Sequence, residues 1–451
     1  MSNQLMTKHV LLIACLCVTG SILTSPDRVN GEDWPGWLGS SRDGVYRESG
    51  VIDHIPDSGL PVKWRTPIAG GYAGPSVADG KVFVFDYQRS GGEVVNDPGQ
   101  RATLTGKERL QVLDAKTGEK IWEYSYDRPY EISYPAGPRA TPTVDQDNVY
   151  LLGAEGDLTC LSVADGSLVW TRNLPNDFGA EVPIWGFASH PLVDGDLLYT
   201  MVGGQGQGVV AFEKATGEVR WKSLDAKAGY CATRIIEAGG TRQLIVYHPE
   251  AVEGLDPATG KSLWNIPITP AYEMSIAQPM IEGDLMYASG IHAEAVMFQL
   301  GSESPTAKEL WRGGPKNAVH CSNAPPMIVD GVIYGTDCVK GNLIAVDASN
   351  GDRLWETFQP TVPGEKRFAR HGTAFLTRLG QSDRYLLMSE TGELIVAELT
   401  AAGYEEKGRM QVLQPTNESF GRPVLWSHPA YADKTAFIRN DKEIVAVDLS
   451  R

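Results

Sequence analysis

The stretch Leu113-Asp114-Ala115-Lys116-Thr117-Gly118-Glu119-Lys120-Ile121-Trp122 decides the fold, because it recurs along the chain. Leu161 to Trp170 reads LSVADGSLVW, Phe212 to Trp221 reads FEKATGEVRW, Leu255 to Trp264 reads LDPATGKSLW, and Val346 to Trp355 reads VDASNGDRLW. Every copy starts on an apolar residue and carries Gly at its sixth place and Trp at its tenth. Fixed spacing of this kind marks a repeat architecture. The pattern predicts a hairpin in which an apolar strand ends, Gly supplies a positive φ in the turn, and a second strand carries a large aromatic. The Asp of these decamers therefore reads as a turn residue and not as a general base.

A second phrase precedes the decamers: PSVADGKVFV from Pro75, PTVDQDNVY from Pro142, PLVDGDLLY from Pro191, PMIEGDLMY from Pro279 and PMIVDGVIY from Pro326. The two phrases together make four short antiparallel strands, which is one propeller blade. Blades are expected at Pro75–Tyr124 (with a long polar insertion at Gln88–Arg109), Pro142–Leu174, Pro191–Leu224, Arg234–Ile268, Pro279–Trp311, Pro326–Phe358, Ala374–Leu413 and Pro429–Ser450. The last lacks a fourth strand, and Leu60–Ile68 carries Trp64 in a fourth-strand pattern before any blade has begun. The expected fold is all-β, an eight-bladed propeller over residues 60–451 whose ring closes between the two ends of the chain. Residues 32–59 are expected to form an N-terminal extension packed on the propeller, with Trp34 and Trp37 on the outside of the closing blade.

The chain has 451 residues with 49 Gly and 28 Pro, which suits an all-β fold dense in turns. Its net charge is −16 and no Lys/Arg cluster appears, which argues against nucleic-acid binding. Residues 1–31 read as a signal peptide, with Lys8 and His9 ahead of the apolar run Val10–Leu23 and a small-residue cleavage site at Val29-Asn30-Gly31. Leu12-Ile13-Ala14-Cys15 also fits a lipobox, so lipoprotein anchoring through Cys15 is the minor alternative, and an uncleaved anchor is a third. The mature chain carries no membrane span and is expected to be a monomer, exported to the periplasm or cell envelope. Folding about Asp330-Gly331 brings Cys321 near Cys338, either as a disulfide or as two independent buried thiols. No H-x3-H or H-E-x-x-H pair and no G-x-S-x-G occurs, so neither a metal site nor a catalytic residue is assigned.

The order P-x-V-x-D-G-x-V-Y followed by D-x-x-T-G-x3-W resembles the quinoprotein-type (PQQ-like) β-propeller repeat over nearly the whole mature chain. Three classes share this repeat: quinoprotein alcohol and sugar dehydrogenases, which hold pyrroloquinoline quinone and Ca²⁺ in the central funnel; the non-catalytic lipoprotein of the outer-membrane barrel assembly machinery; and exported PQQ-binding-like propellers. WPGWLGSSRDGV, GPRATPTV and AEVPIWGFASHP look most like the last class. The chain departs from the dehydrogenases in having no adjacent Cys pair, no C-x-x-C-H haem motif and no D-x-[DN]-x-[DN]-G loop for Ca²⁺. The resemblance thus implies no cofactor, with pyrroloquinoline quinone and Ca²⁺ kept for the alternative of an oxidoreductase.

Aligning the blades on their inner strands places a ring of small residues at Ala73, Ala140, Ser189, Ala232, Ala277, Ala324, Gly372 and Ser427. The positions around this ring supply the candidate ligand-binding mouth: Tyr72, Arg139, Trp185, His190, Tyr230, His320, Arg370, His371, Trp426 and His428, with His292 more loosely. Such a set suits an anionic or sugar-like ligand. The functional expectation is a non-catalytic binding or scaffold module for an unidentified protein or envelope polymer. A PQQ-dependent oxidoreductase of alcohols or sugars is the alternative, and a glycan-binding propeller is a second one.

Overall fold

The computed structural model describes residues 32–291, 294–362 and 368–451. The signal-peptide and Cys15 readings and His292 lie outside the described residues. The described chain folds as eight four-stranded antiparallel blades, each running from an inner to an outer strand in sequence order. Blade 1 starts at Ser76–Ala78, blade 2 at Thr143–Asp145, blade 3 at Leu192–Asp194, blade 4 at Arg234–Ala238, blade 5 at Met280–Glu282, blade 6 at Met327–Val329, blade 7 at Ala374–Leu379 and blade 8 at Ala430–Ala432. Val62–Pro67 pairs antiparallel with Glu443–Asp448 and supplies the outer strand of blade 8, closing the ring. Without it the outer edge of Glu443–Asp448 would stand open to pairing with another chain.

The decamer has a physical explanation in two parts. Within a blade, the third and fourth strands slip by one residue at a bulge between Cys160 and Leu161, and the same slip recurs at Val112/Leu113, Ala211/Phe212 and Ala345/Val346. The bulge places Trp170 opposite Cys160 and Trp221 opposite Ala211, tilting each indole toward the next blade. Between blades, each indole lies on the turn glycine of the following decamer. A Cβ on Gly118 would stand 2.5 Å from the Trp64 ring, one on Gly166 2.6 Å from Trp122, and one on Gly260 2.5 Å from Trp221. The indole N–H then donates across the blade boundary, from Trp64 to Ala115 O at 3.0 Å, from Trp122 to Val163 O at 3.1 Å and from Trp170 to Lys214 O at 2.9 Å. The Asp of the turn accepts backbone N–H groups, as Asp114 Oδ1 does from Lys116 and Thr117 at 2.9 Å, which confirms it as a turn residue.

Trp264 is the exception: its N–H turns back to Gln243 within its own blade, because blade 5 has a stretched turn where the receiving glycine would be. The hydrophobic core accordingly sits between faces of neighbouring blades. Tyr150, Leu152 and Leu158 of blade 2, for example, are fully buried against Leu198, Val210 and Phe212 of blade 3.

The polar insertion of blade 1 lengthens its middle strands to Lys81–Gly91 and Ala102–Asp114, with Tyr130–Ile132 pairing onto the base of the arm. Its far end crosses the channel mouth, where Asn96 Nδ2 donates to Asn417 Oδ1 at 3.0 Å.

The N-terminal extension corrects the expectation made for it. Trp34 and Trp37 do not lie outside the closing blade; the segment plugs the central channel and turns back, so that its two ends meet where Glu32 accepts the Arg47 backbone N–H. Trp34 exchanges backbone hydrogen bonds of 2.9 and 2.8 Å with Val77 of blade 1, and Pro35 O accepts from Val144 of blade 2 at 2.8 Å. Arg42 donates to Pro191 O and Thr233 O at the entries of blades 3 and 4, while Gln278 of blade 5 donates to Arg42 O at 2.9 Å. Val45–Tyr46 then pairs in parallel with the inner strand of blade 7, and Tyr46 packs on Tyr431 of blade 8. Two Trp in four residues did signal docking. The choice of the channel follows from the ring of small residues, which leaves room at the axis for a second chain segment.

Candidate ligand cavity at the channel mouth

The loops that lead into the eight inner strands surround one mouth of the channel. The mouth opens into a cavity of about 760 Å³. Of the ten candidate residues, Tyr72, Arg139, Trp185, His190, Tyr230, Arg370, His371, Trp426 and His428 line it. His320 does not: its side chain turns between blades 5 and 6, with Nδ1 3.4 Å from Asp337 Oδ1. It stands four residues before the ring residue Ala324, and its backbone is tied to blade 6 where Cys338 N–H donates to His320 O at 2.7 Å. Cys321 and Cys338 are buried and form no disulfide in this structure, and burial pushes the Cys321 thiol up.

Sequence reasoning missed several lining residues. Trp37 forms the floor, carried there by the plugging segment, with its ring stacked on His190 (centroids 4.0 Å, 17°) and tilted on His428 (4.9 Å, 54°). Pro98 and Gly99 come from the blade 1 arm, and Phe420 from a small hairpin, Asn417–Ser419 with Arg422–Val424. Tyr272 and Glu273 come from the loop between blades 4 and 5. None belongs to a repeat phrase, so only a backbone signal could have flagged them. That signal exists in the structure: Tyr134, Tyr272, Glu273, His371 and Phe420 all line the cavity and all hold φ between 47° and 60°. Left-handed backbone costs a bulky L-residue about 1–3 kcal/mol, and such strain clusters where a surface is shaped for binding.

Arg139 turns out to be a wall-builder. Its guanidinium donates to the carbonyls of Trp185 (2.7 Å), Ser133 (2.8 Å), Tyr134 (2.6 Å) and Gly137, and it stands 5.3 Å from the Tyr72 ring. These bonds hold Trp185 and Tyr134 in place and leave the cation without a free fork for an anion. On the opposite wall, Trp426 Nε1 donates to Glu390 at 2.9 Å, and Glu390 is itself paired with Arg422 at 2.8 Å. His371 stacks on Phe420 at 5.2 Å.

The floor histidines are neutral. Burial drives the His190 pKa well below its ordinary value, assisted by Arg42 and His428, and burial lowers that of His428 to about 4. Because the unfolded chain would take up these protons near pH 6.5 and the fold does not, stability is present above that pH and lost as pH falls toward 4. For His428 the loss is on the order of 3 kcal/mol. Urea midpoints at pH 7 and pH 4.5 should therefore differ more for the native protein than for His428→Gln; equal differences would show that His428 is not held neutral.

A quinone cofactor with Ca²⁺ can be tested against this donor set. Among the described residues no three His, Cys, Asp or Glu side chains converge as metal ligands. Glu273, the carboxylate of the lining, is ion-paired with Lys227 at 2.6 Å. With four of the five Arg139 donors also spent and no converging oxygen ligands among the described residues, the residues present do not fit a Ca²⁺-bound, multiply anionic quinone.

Fold and cavity define an eight-bladed β-propeller whose axis is plugged by its own N-terminal segment and whose open mouth is a deep aromatic cavity. The chain belongs to the family described as outer membrane protein assembly factor BamB, whose model matches residues 56–181, 106–357 and 303–451. A curated relative, the outer membrane protein assembly factor BamB of Xanthomonas campestris pv. campestris, is 27% identical over 184 residues. That match covers 38% of this chain and spans 38% of the relative's length. Among solved structures, BamB from Moraxella catarrhalis is similar with a TM-score of 0.59 at 10% identity, covering 86% of this chain and 97% of that one. A europium-containing methanol dehydrogenase reaches a TM-score of 0.45 at 13% identity over 92% of this chain and 89% of that one. At such identities the likeness is one of fold alone. Among the described residues no helix is long and apolar enough to cross a membrane.

Proposed function

We propose that this protein is an exported, non-catalytic binding propeller of the cell envelope, holding a protein or polymer partner at its channel mouth. The observation that carries this reading is the commitment of the cavity's polar groups. Four of the five Arg139 N–H donors are held by backbone carbonyls, Trp426 and Arg422 are tied to Glu390, and the floor histidines are neutral and flank an indole. A site of this kind offers shape and aromatic surface but no poised acid, base or nucleophile. The description of the family as an assembly factor of the outer membrane is in keeping with an envelope location and with a scaffold role.

The test has two arms. The mature chain, immobilised, should retain a component of solubilised envelope in a saturable way, and free chain should compete it off. The same chain incubated with pyrroloquinoline quinone and Ca²⁺ should reduce no dye over a panel of alcohols and aldoses. Stoichiometric quinone uptake with substrate-dependent dye reduction would overturn the reading in favour of an oxidoreductase.

A further inference from the structure

The chemistry of the cavity floor narrows the ligand class; the inference rests on the binding-module reading and deepens it. The hydrogen bonds of the two floor histidines fix opposite tautomers. Nδ1 of His190 accepts the Thr141 backbone N–H at 2.8 Å, so the ring proton sits on Nε2. Nδ1 of His428 lies 2.6 Å from Pro429 O, which can only accept, so that ring is protonated at Nδ1 and its Nε2 keeps a lone pair. Neither Nε2 makes a hydrogen bond among the described residues. An uncharged donor and an uncharged acceptor thus flank Trp37 at the base of the cavity.

The walls above present flat aromatic faces. Trp185 and Tyr230 stand 5.5 Å apart, and Trp426 and Tyr134 stand 6.2 Å apart. A cation meets Arg139 and Arg370, and an anion finds four of the five Arg139 N–H donors already held by backbone carbonyls. A neutral molecule with apolar faces and hydroxyl groups satisfies both walls and floor, because a hydroxyl donates and accepts at once. The volume of about 760 Å³ lies within the range of roughly 300–1,000 Å³ found for small-molecule sites.

We propose that the channel-mouth cavity binds the terminal units of a neutral glycan, with sugar rings against Trp185 and Trp426 and hydroxyls reading His190 Nε2–H and His428 Nε2. The Trp faces supply stacking energy.

Titration calorimetry with cellotriose, maltotriose, chitotriose and mannotriose tests this, with trigalacturonate as the anionic counterpart. At least one neutral trisaccharide should give saturable heat, and trigalacturonate should bind about tenfold more weakly or not at all. Trp185→Ala and Trp426→Ala should each weaken the neutral ligand by about tenfold or more, with melting temperature as the check that each variant is folded. Absence of saturation by all four neutral trisaccharides up to ~10 mM, preference for trigalacturonate, or unchanged binding in both variants would overturn the proposal. The same two variants in the envelope-capture assay separate the layers of the argument. Capture without any saccharide binding sinks the glycan assignment alone, whereas quinone-dependent turnover sinks the binding-module reading beneath it.

Discussion

Gly217→Ala is expected to destabilise the propeller far more than Gly195→Ala, although both glycines hold a positive φ. Gly217 has φ +69° and a Cβ there would meet the Trp170 ring at 2.7 Å; Gly195 has φ +58° and nothing within 4 Å. Alanine at Gly195 therefore incurs only backbone strain of about 1–3 kcal/mol. Alanine at Gly217 adds the cost of overpacking, about 1–3 kcal/mol more, because the indole must leave its seat and give up its bond to Lys214 O. Denaturant unfolding followed by Trp fluorescence reads both effects, the second as a shifted native emission. Equal losses in the two variants would mean that the indole–glycine contact between blades contributes nothing beyond turn geometry.

Trp34→Ala should be the most damaging single change in the N-terminal segment, at about 3–5 kcal/mol. Trp34 is 1% exposed and packs against Tyr46 (6.4 Å), Tyr431 (5.4 Å) and His428 (6.5 Å) while its backbone pairs with blade 1. The loss should appear in calorimetry as a melting temperature lower by several degrees, since a chain of this size shifts modestly per kcal/mol. A segment merely resting on the outside of the ring would give a change near zero, so the experiment distinguishes a plug from a leader. Because Trp37 follows three residues later and forms the cavity floor, the same variant should also weaken any ligand held at the mouth.

The legibility of the molecule follows the range of its interactions. The blades were readable because their determinants are local: Gly118, Gly166, Gly217 and Gly260 sit at one turn position, and the Trp of each decamer recurs at fixed distance from them. Even ring closure was readable, since Trp64 carries the repeat's own mark at the wrong end of the chain. Much of the cavity was readable for the same reason, because equivalent positions in each blade face the axis. His320 failed because contacts with blade 6, through Cys338 and Asp337, hold it at the blade boundary, which its position on the loop does not reveal.

What lay outside the repeats was not readable. Arg139 looked like an anion-binding cation until the fold set four backbone carbonyls around it. Phe420, Tyr272 and Pro98 reach the mouth through irregular loops whose course depends on contacts far away in sequence, such as Asn96 with Asn417.

The sequence by itself determined an all-β repeat of eight blades, its closure and the ring of positions facing the axis. Strand, turn and inter-blade contact are all encoded within a few tens of residues there. Only the tertiary structure decided that the chain's own N-terminal segment occupies the axis, that Trp37 floors the mouth and that His190 and His428 carry opposite tautomers. The plug and the floor arise where segments far apart in sequence meet, as Arg42 does Thr233 and Trp37 does His190, and burial together with the remaining hydrogen-bond partners then selects the tautomers.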